Sequence, residues 1–313
     1  MSINKLFKLS SVITIFLPVF AMVSCSSLKK TTVADNNDVF YKAGHRGARG
    51  LMPENTIPAM KKGIDAGANT CEFDIQVTKD GKVMVHHDAS FNPAYETMPD
   101  GSDIPKTERE KYIFYKMNYA DIRQFIIGEK DYATFPEQKR IKTYAPLFTE
   151  LIDSIETFTK SNNYGPVYYM PEIKSDPKEY GKSQPYPEEF VKIVMETLKP
   201  YMKQIGKRLI IQCFDLKPLQ ILHRDYPEVQ LALLSSQKNR SIDEQIKLLG
   251  FTPDFYLPEF RMIISELLSE CHAKRIQVVP WTVNDKSEME KLIDLGVDGI
   301  ITDYPDRLAA INK

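Results

Sequence analysis

Only four cysteines and one tryptophan occur in 313 residues. So few thiols exclude a scaffold built on disulfides. Excess charge is also missing: 41 basic against 42 acidic side chains leave a formal net charge of −1. A chain so near neutrality lacks the basic surplus on which nucleic-acid binding rests. Glycine (14) and proline (20) are too scarce for collagen or a low-complexity array. What is present is 42% hydrophobic residues, enough over this length to bury a sizeable core.

The longest apolar run, residues 12–23, follows Lys5 and Lys8 with no acid before it. It falls short of the about 20 residues that a spanning helix needs, and Pro18 interrupts it. The pattern reads as a secretory signal over residues 1–24. Ser24-Cys25 directly after the run resembles a bacterial lipobox, in which the cysteine is freed by cleavage and lipidated. The bland reading is an ordinary cleaved signal with a chance cysteine. On the lipobox reading, residues 25–37 form a small, polar tether. The protein is then exported and held to a bacterial membrane through Cys25, on a periplasmic or cell-surface face. Cys71, Cys213 and Cys271 remain, an odd set that suits buried free thiols.

From residue 38 to 313, short apolar runs alternate with stretches of helical periodicity. Strands are predicted at 39–44, 70–78, 82–87, 166–174, 208–214, 229–235, 254–258, 276–283 and 298–303. Helices are predicted near 55–66, 147–159, 188–203, 216–225, 241–249, 261–273 and 286–294. Such alternation implies a parallel sheet with crossover helices. Lys79-Asp80-Gly81 is too short to carry a helix, so the second and third strands form a hairpin and only one takes a barrel place. Eight strands remain, and the expected fold is an α/β TIM (β/α)8 barrel. The rival is an open doubly wound sheet. No G-x-G-x-x-G follows the first strand, which removes one mark of its dinucleotide-binding form. Residues 88–145 break the rhythm, with a helical hint at 119–127. An insertion of that length, after the second barrel strand and its hairpin, reads as a functional loop or small subdomain.

In a barrel the C-terminal strand ends carry the site. Five runs end in residues able to do chemistry there: His45-Arg46, Glu72-Phe73-Asp74, His87-Asp88, Glu172-Ile173-Lys174 and Trp281-Thr282-Val283-Asn284. A period of two puts Glu72 and Asp74 on one face of their strand, and Glu172 and Lys174 on one face of a neighbour. If both faces line the mouth, three carboxylates converge, and a dry pocket holds three anions only with compensation. One divalent cation is the simplest compensation, Ca²⁺ or Mg²⁺ for an all-oxygen set. Taken singly, each pair reads better as half of a surface salt bridge.

His45 and His87 can act as base and acid across one reacting centre. His86 alternates to the other face and is assigned to packing or the surface. His223 and His272 lie in helical stretches and receive no role. Arg46 offers a planar fork, and Lys174 a point charge, to a phosphoryl group. A salt bridge from Arg46 to the carboxylates is compatible with that role. In Pro53-Glu54-Asn55-Thr56, Asn55 or Thr56 suits the N-cap of the helix that follows, and Glu54 is free to line the site. Trp281 reads either as an apolar wall beside a small polyol or head group, or as core packing.

The ordered set His45-Arg46-Gly47, Pro53-Glu54-Asn55-Thr56, Glu72-Phe73-Asp74, Lys79-Asp80-Gly81 and His87-Asp88 resembles the N-terminal signature of glycerophosphodiester phosphodiesterases. Glu172-Ile173-Lys174 matches that family's next motif. Trp281-Thr282-Val283-Asn284 and Gly299-Ile300-Ile301-Thr302-Asp303-Tyr304-Pro305 resemble its closing motifs. The resemblance covers about residues 40–310. It implies a TIM barrel that hydrolyses glycerophosphodiesters to glycerol 3-phosphate and an alcohol with a divalent metal. By position it implies that Glu72, Asp74 and Glu172 hold the metal and that His45 and His87 are the acid/base pair. Arg46 and Lys174 would hold the phosphate, with Trp281 beside the glycerol. The implied partners are a small glycerophosphodiester and, through Cys25, a membrane; nothing indicates nucleic acid or a protein partner.

Two departures stand out. Cys213-Phe214 occupies the place of a common Ser-Phe, which bears on one wall of the pocket. Ala89-Ser90-Phe91-Asn92 replaces a Leu-Asp-Arg-Thr-like run, which bears on the leaving alcohol. Two rivals remain beside this reading. One is a phospholipase of similar barrel type acting on intact lipid. The other is a catalytically silent binding lipoprotein, for which a plug from 88–145 would speak.

Overall fold

The computed structural model describes residues 39–311. The signal, Cys25 and the tether lie outside the described residues. The strands are β1 (Tyr41–Gly44), β2 (Thr70–Val77), β3 (Val83–Val85), β4 (Glu96–Thr97), β5 (Ile126–Ile127), β6 (Tyr168–Ile173), β7 (Ile210–Cys213), β8 (Gln230–Ser235), β9 (Phe255–Pro258), β10 (Gln277–Val278) and β11 (Gly299–Thr302). Neighbours run β10-β9-β8-β7-β6-β2-β1-β11, every pair parallel. Backbone bonds from Asp298 N to Val278 O (2.9 Å) and from Ile301 N to Pro280 O (3.0 Å) join the two ends. The result is a barrel of eight parallel strands with helices around it. β3 returns antiparallel on β2, Ile75 opposite Val85, so the hairpin fills one barrel place.

The helices are α1 (Ile57–Asp65), α2 (Tyr119–Ile122), α3 (Phe148–Ser161), α4 (Pro187–Leu198), α5 (Met202–Ile205), α6 (Leu216–Asp225), α7 (Ile242–Leu249), α8 (Ser265–Ala273), α9 (Lys286–Leu295) and α10 (Pro305–Ala309). No helix among the described residues is long and apolar enough to cross a membrane. Departures from the expected elements have local causes. The stretch 188–203 divides into α4 and α5 around Pro200, which restricts the residue before it and offers no N–H. The ladder in 276–283 spans only β10, because Pro280 cannot donate, although Val279 and Trp281 still donate to the β9 carbonyls at 3.1 Å each. The helical hint at 119–127 becomes the short α2 followed by β5, which pairs with β4.

Alternation along the strands sorts side chains into two layers. Tyr41, Met170, Ile210, Leu234, Phe255 and Ile301 fill the barrel interior. Phe73, Tyr169, Ile211 and Leu231 pack outward under the helices. Each large apolar side chain buried this way contributes about 1.5–3 kcal/mol. A slip of one residue would exchange the layers, so burial specifies the register. The outer layer also holds Cys213, whose thiol donates to Ile173 O at 3.1 Å. The Cys-for-Ser departure therefore faces the helices, and Phe214, 41% exposed, is the residue that meets Trp281 edge-on at 5.4 Å. Cys71, Cys213 and Cys271 are all free and buried.

Residues 88–145 build a core of their own. Phe91 stacks on Phe125 at 3.9 Å, packed with Ile104, Phe114 and Ile122 against Met84 of β3. His86 anchors the subdomain from below: Nε2 meets Glu96 Oε1 at 2.7 Å and Nδ1 meets Asp88 O at 3.0 Å. Burial works against a charged ring, but Glu96 outweighs it and lifts His86 to about 9 from 6.5. The charged ring therefore adds stability in full below pH 6.5 and loses it progressively as pH rises through 9. Melting temperature measured across that window should fall more steeply for the wild type than for His86→Gln. Parallel curves would mean that the ring is neutral.

Candidate active site

β1 ends at Gly44, and His45-Arg46-Gly47 turns across the barrel mouth. His45 N donates to Thr302 O (2.8 Å) and Gly47 N to Glu72 O (3.0 Å). Gly47 has φ +89°, and a Cβ there would stand 2.6 Å from the Ala59 carbonyl carbon. Only glycine lets this loop lie against α1. Arg46 and Asn55 also hold positive φ, 50° and 58°, and Asn55 N donates to Arg46 O at 3.0 Å. Strained backbone of this kind persists where surrounding bonds over-determine it. Thr56 is the side chain that caps α1, accepting from Ala59 N at 3.3 Å. Asn55 is thereby released to the site, where Nδ2 donates to Asp74 Oδ2 (2.8 Å) and Oδ1 accepts from Asp74 N (3.1 Å).

Glu72, Asp74 and Glu172 are all buried, with ligand oxygens within 4.8 Å of one another. Strand register explains the meeting: Asp74 lies opposite Glu172, and Glu172 opposite Gln212. Glu72 Oε2 accepts from Arg46 N, and its Oε1 from Gln212 Nε2, each at 2.7 Å. Lys174 Nζ donates to Glu172 Oε1 (2.7 Å) and stands 3.5 Å from Asp74 Oδ1. Arg46 Nε stands 3.4 Å from Asp74 Oδ2, while its Nη1 donates to Glu54 Oε1 at 2.6 Å.

The charges do not balance. Three carboxyls face two cations, and Arg46 is shared with Glu54. Burial pushes Glu72 well above the usual carboxylate range, and Asp74 adds to the effect. Burial also raises Glu172, against the pull of Lys174. For Asp74, burial is outweighed by Lys174 and Arg46, which hold its carboxyl low. The missing positive charge is what a divalent cation would supply, and the all-oxygen donor set fits a hard one. Among the described residues, these three are the one such group of metal-type ligands.

Each histidine is anchored through Nδ1. His45 Nδ1 lies 2.7 Å from Asp303 Oδ1. Asp303 is fastened in turn by Arg49 (Nε 2.9 Å, Nη2 3.1 Å) and by Asn284 Nδ2 (2.7 Å). His87 Nδ1 lies 2.8 Å from Asp88 Oδ1, and Asp88 Oδ2 accepts from Arg109 Nη2 (2.8 Å) and Asn92 Nδ2 (3.2 Å). A carboxylate on Nδ1 fixes the ring and presents Nε2 to a ligand. Burial lowers His45 below the ordinary histidine value, with Asp303 opposing. Trp281 is packed: Nε1 donates to Leu257 O at 2.7 Å, and the ring rests on the interior core and on Phe214. A cavity of about 530 Å³ is lined by Ala89, Ser90 and Arg109 of the insertion together with Glu179 and Ser183.

Sequence reasoning quoted Asn284 and Asp303 within motifs without giving either a role, and it passed over Arg49, Arg109 and Gln212. Asp303 directly follows β11, and Gln212 shares the inward face of β7 with Ile210. The strand-end rule and the period of two therefore carried a signal for both. Arg49 and Arg109 sit where no strand period points to them.

The model of the glycerophosphoryl diester phosphodiesterase family matches residues 45–307. The chain belongs to the glycerophosphodiester phosphodiesterase family. A glycerophosphodiester phosphodiesterase from Bacillus altitudinis is 27% identical over 272 residues, 86% of this chain and 96% of that protein. A lysophospholipase D from Mus musculus is 25% identical over 284 residues, 84% of this chain and 83% of its own. A solved structure from Silicibacter pomeroyi DSS-3, assigned to the same family, has a TM-score of 0.75 at 29% identity, covering 86% of this chain and 92% of that one. A phosphodiesterase from Oleispira antarctica, solved with its product sn-glycerol-3-phosphate, shares the fold with a TM-score of 0.66 at 21% identity, covering 86% and 94%. As a glycerophosphodiester phosphodiesterase the protein is a phosphoric diester hydrolase, which sets aside the silent-lipoprotein reading.

Proposed function

We propose that the protein hydrolyses glycerophosphodiesters to sn-glycerol 3-phosphate and an alcohol, with His45 and His87 transferring the protons. Two imidazoles, each anchored through Nδ1 to a carboxylate, support this reading together with the buried group of three carboxyls. Glu72, Asp74 and Glu172 would hold Ca²⁺ or Mg²⁺, which when bound draws charge from the phosphoryl oxygens. Arg46 and Lys174 bind those oxygens from the protein side. His45, held neutral by burial, takes the proton from the attacking oxygen, which belongs either to water or to the glycerol 2-hydroxyl, whose cyclic phosphate a water molecule then opens to glycerol 3-phosphate. Asp303 stabilises the imidazolium that results. His87, oriented by Asp88, gives a proton to the leaving alkoxide. Trp281 flanks the glycerol.

The experiment is ³¹P NMR of glycerophosphocholine with enzyme and either cation. Glycerol 3-phosphate should appear, and a transient 1,2-cyclic phosphate would identify the 2-hydroxyl as attacker. Phosphocholine as the product would overturn the proposed bond cleavage. A lysophospholipid is a second substrate class, supported by the exposed Phe214 edge against Trp281 and by the activity named for the Mus musculus relative. Assays with lysophosphatidylcholine and intact phosphatidylcholine separate these classes. Export and lipidation at Cys25 are part of the same proposal. Cys25→Ser should move the protein from the membrane fraction to the soluble one, and unchanged partition would remove the anchor.

A further inference from the structure

Gln212 is a buried polar residue that the proposed chemistry does not use. It is 1% exposed, on the inward face of β7, and in register with Glu172. Its Nε2 donates to Glu72 Oε1 at 2.7 Å and to Met170 O at 3.2 Å. Those two acceptors fix the amide. Turned over, its oxygen would face a carboxyl oxygen and a carbonyl, neither of which donates. In the observed sense, Gln212 Oε1 is buried and has no partner among the described residues. A buried acceptor left unpaired opposes folding. An apolar side chain of similar length would fill the same space without that cost. The placement of this amide is therefore explained by its donor end.

We infer that Gln212 is a positioning residue that sets the cation affinity of the site by holding Glu72, an inference that rests on the cation reading above. Glu72 has one oxygen on Arg46 N–H and the other on Gln212 N–H, two neutral donors in fixed directions. They orient the carboxylate without placing a positive charge where the cation must sit. Glu172 is in the opposite condition: its donor is the Lys174 ammonium at 2.7 Å, which competes with a cation for the same oxygen. Both Glu72 oxygens are thus held by neutral donors with no ammonium on either, and Gln212 is the side chain that holds one of them.

The test is calorimetric titration of Mg²⁺ and of Ca²⁺ into metal-stripped wild type, Gln212→Met and Gln212→Ala. Outer partners of metal ligands typically change affinity 10- to 100-fold, so Kd should rise by about that factor in both variants. The cation concentration for half-maximal activity should rise by the same factor, and kcat at saturation should fall much less. A general loss of structure would instead depress kcat at saturation and the melting temperature of the metal-free protein. If Gln212→Met does not fold, Gln212→Ala carries the same comparison. Wild type that binds while a folded variant binds within twofold of it would overturn this inference alone. Wild type that takes up neither cation would overturn the cation reading, and this inference with it.

Discussion

Replacing His45 by Ala should lower kcat by about 10²–10⁴-fold, the usual worth of a positioned proton-transfer group, and His87→Ala should do the same. The fold should survive both changes. Without the His45 ring, Asp303 keeps Arg49 and Asn284, and without the His87 ring, Asp88 keeps Arg109 and Asn92. The double variant should lose far less than the product of the single losses, because two groups acting in one step are not additive. The pH profile of kcat/KM adds a second reading. Burial lowers His45 from 6.5 while Asp303 opposes the shift, so the acidic limb should lie below that value. Asp303→Asn removes the opposition and should move the limb lower still. Near-normal kcat in either alanine variant, or a limb that rises in Asp303→Asn, would contradict the assigned roles.

Local rules made the barrel legible. Strand and helix periods alternate, and Lys79-Asp80-Gly81 is too short for a crossover, which removes one strand from the count. The inward pairs Glu72/Asp74 and Glu172/Lys174 follow from the same period of two, since the strands that carry them are buried on both faces. Contacts made only by closing the barrel were not legible. Asp303 meets His45 across 258 positions, and no sequence pattern links two loops at opposite ends of a chain. Arg109 reaches Asp88 from within the insertion, whose two short strands have two residues each, too few to show any period. Asn55 was obscured for a different reason. Asn and Thr are both good caps, and the sequence does not say that Thr56 takes the cap while Asn55 turns to Asp74. The His86–Glu96 pair lies beyond strand β3, so alternation could assign His86 a side but not a partner.

Removing the cation should abolish turnover in EDTA-treated enzyme, and add-back of Mg²⁺ or Ca²⁺ should restore it. Glu72 and Asp74 should then separate by their effects on the metal-free protein. Glu72 is buried among like charges and pushed well above its usual range. Glu72→Gln removes that costly buried acid but turns an amide N–H toward the donor of Arg46 or Gln212, so the metal-free melting temperature should stay within about 2–4 °C of the wild type, the shift expected for about 1 kcal/mol. Asp74 is the carboxyl that Lys174 and Arg46 stabilise as an anion. Asp74→Asn leaves both cations short of a partner and should lower the melting temperature instead. Both variants should lose more than about 100-fold in cation-dependent activity, since a lost ligand costs more than a lost outer partner. A marked loss of stability in Asp74→Asn alone, with the same loss of activity in both, is a signature that surface salt bridges do not produce, because breaking exposed pairs changes stability little. Full activity in enzyme shown by metal analysis to be cation-free would remove the cation from the mechanism, and matching stability shifts in the two variants would overturn the charge assignment of the carboxyls.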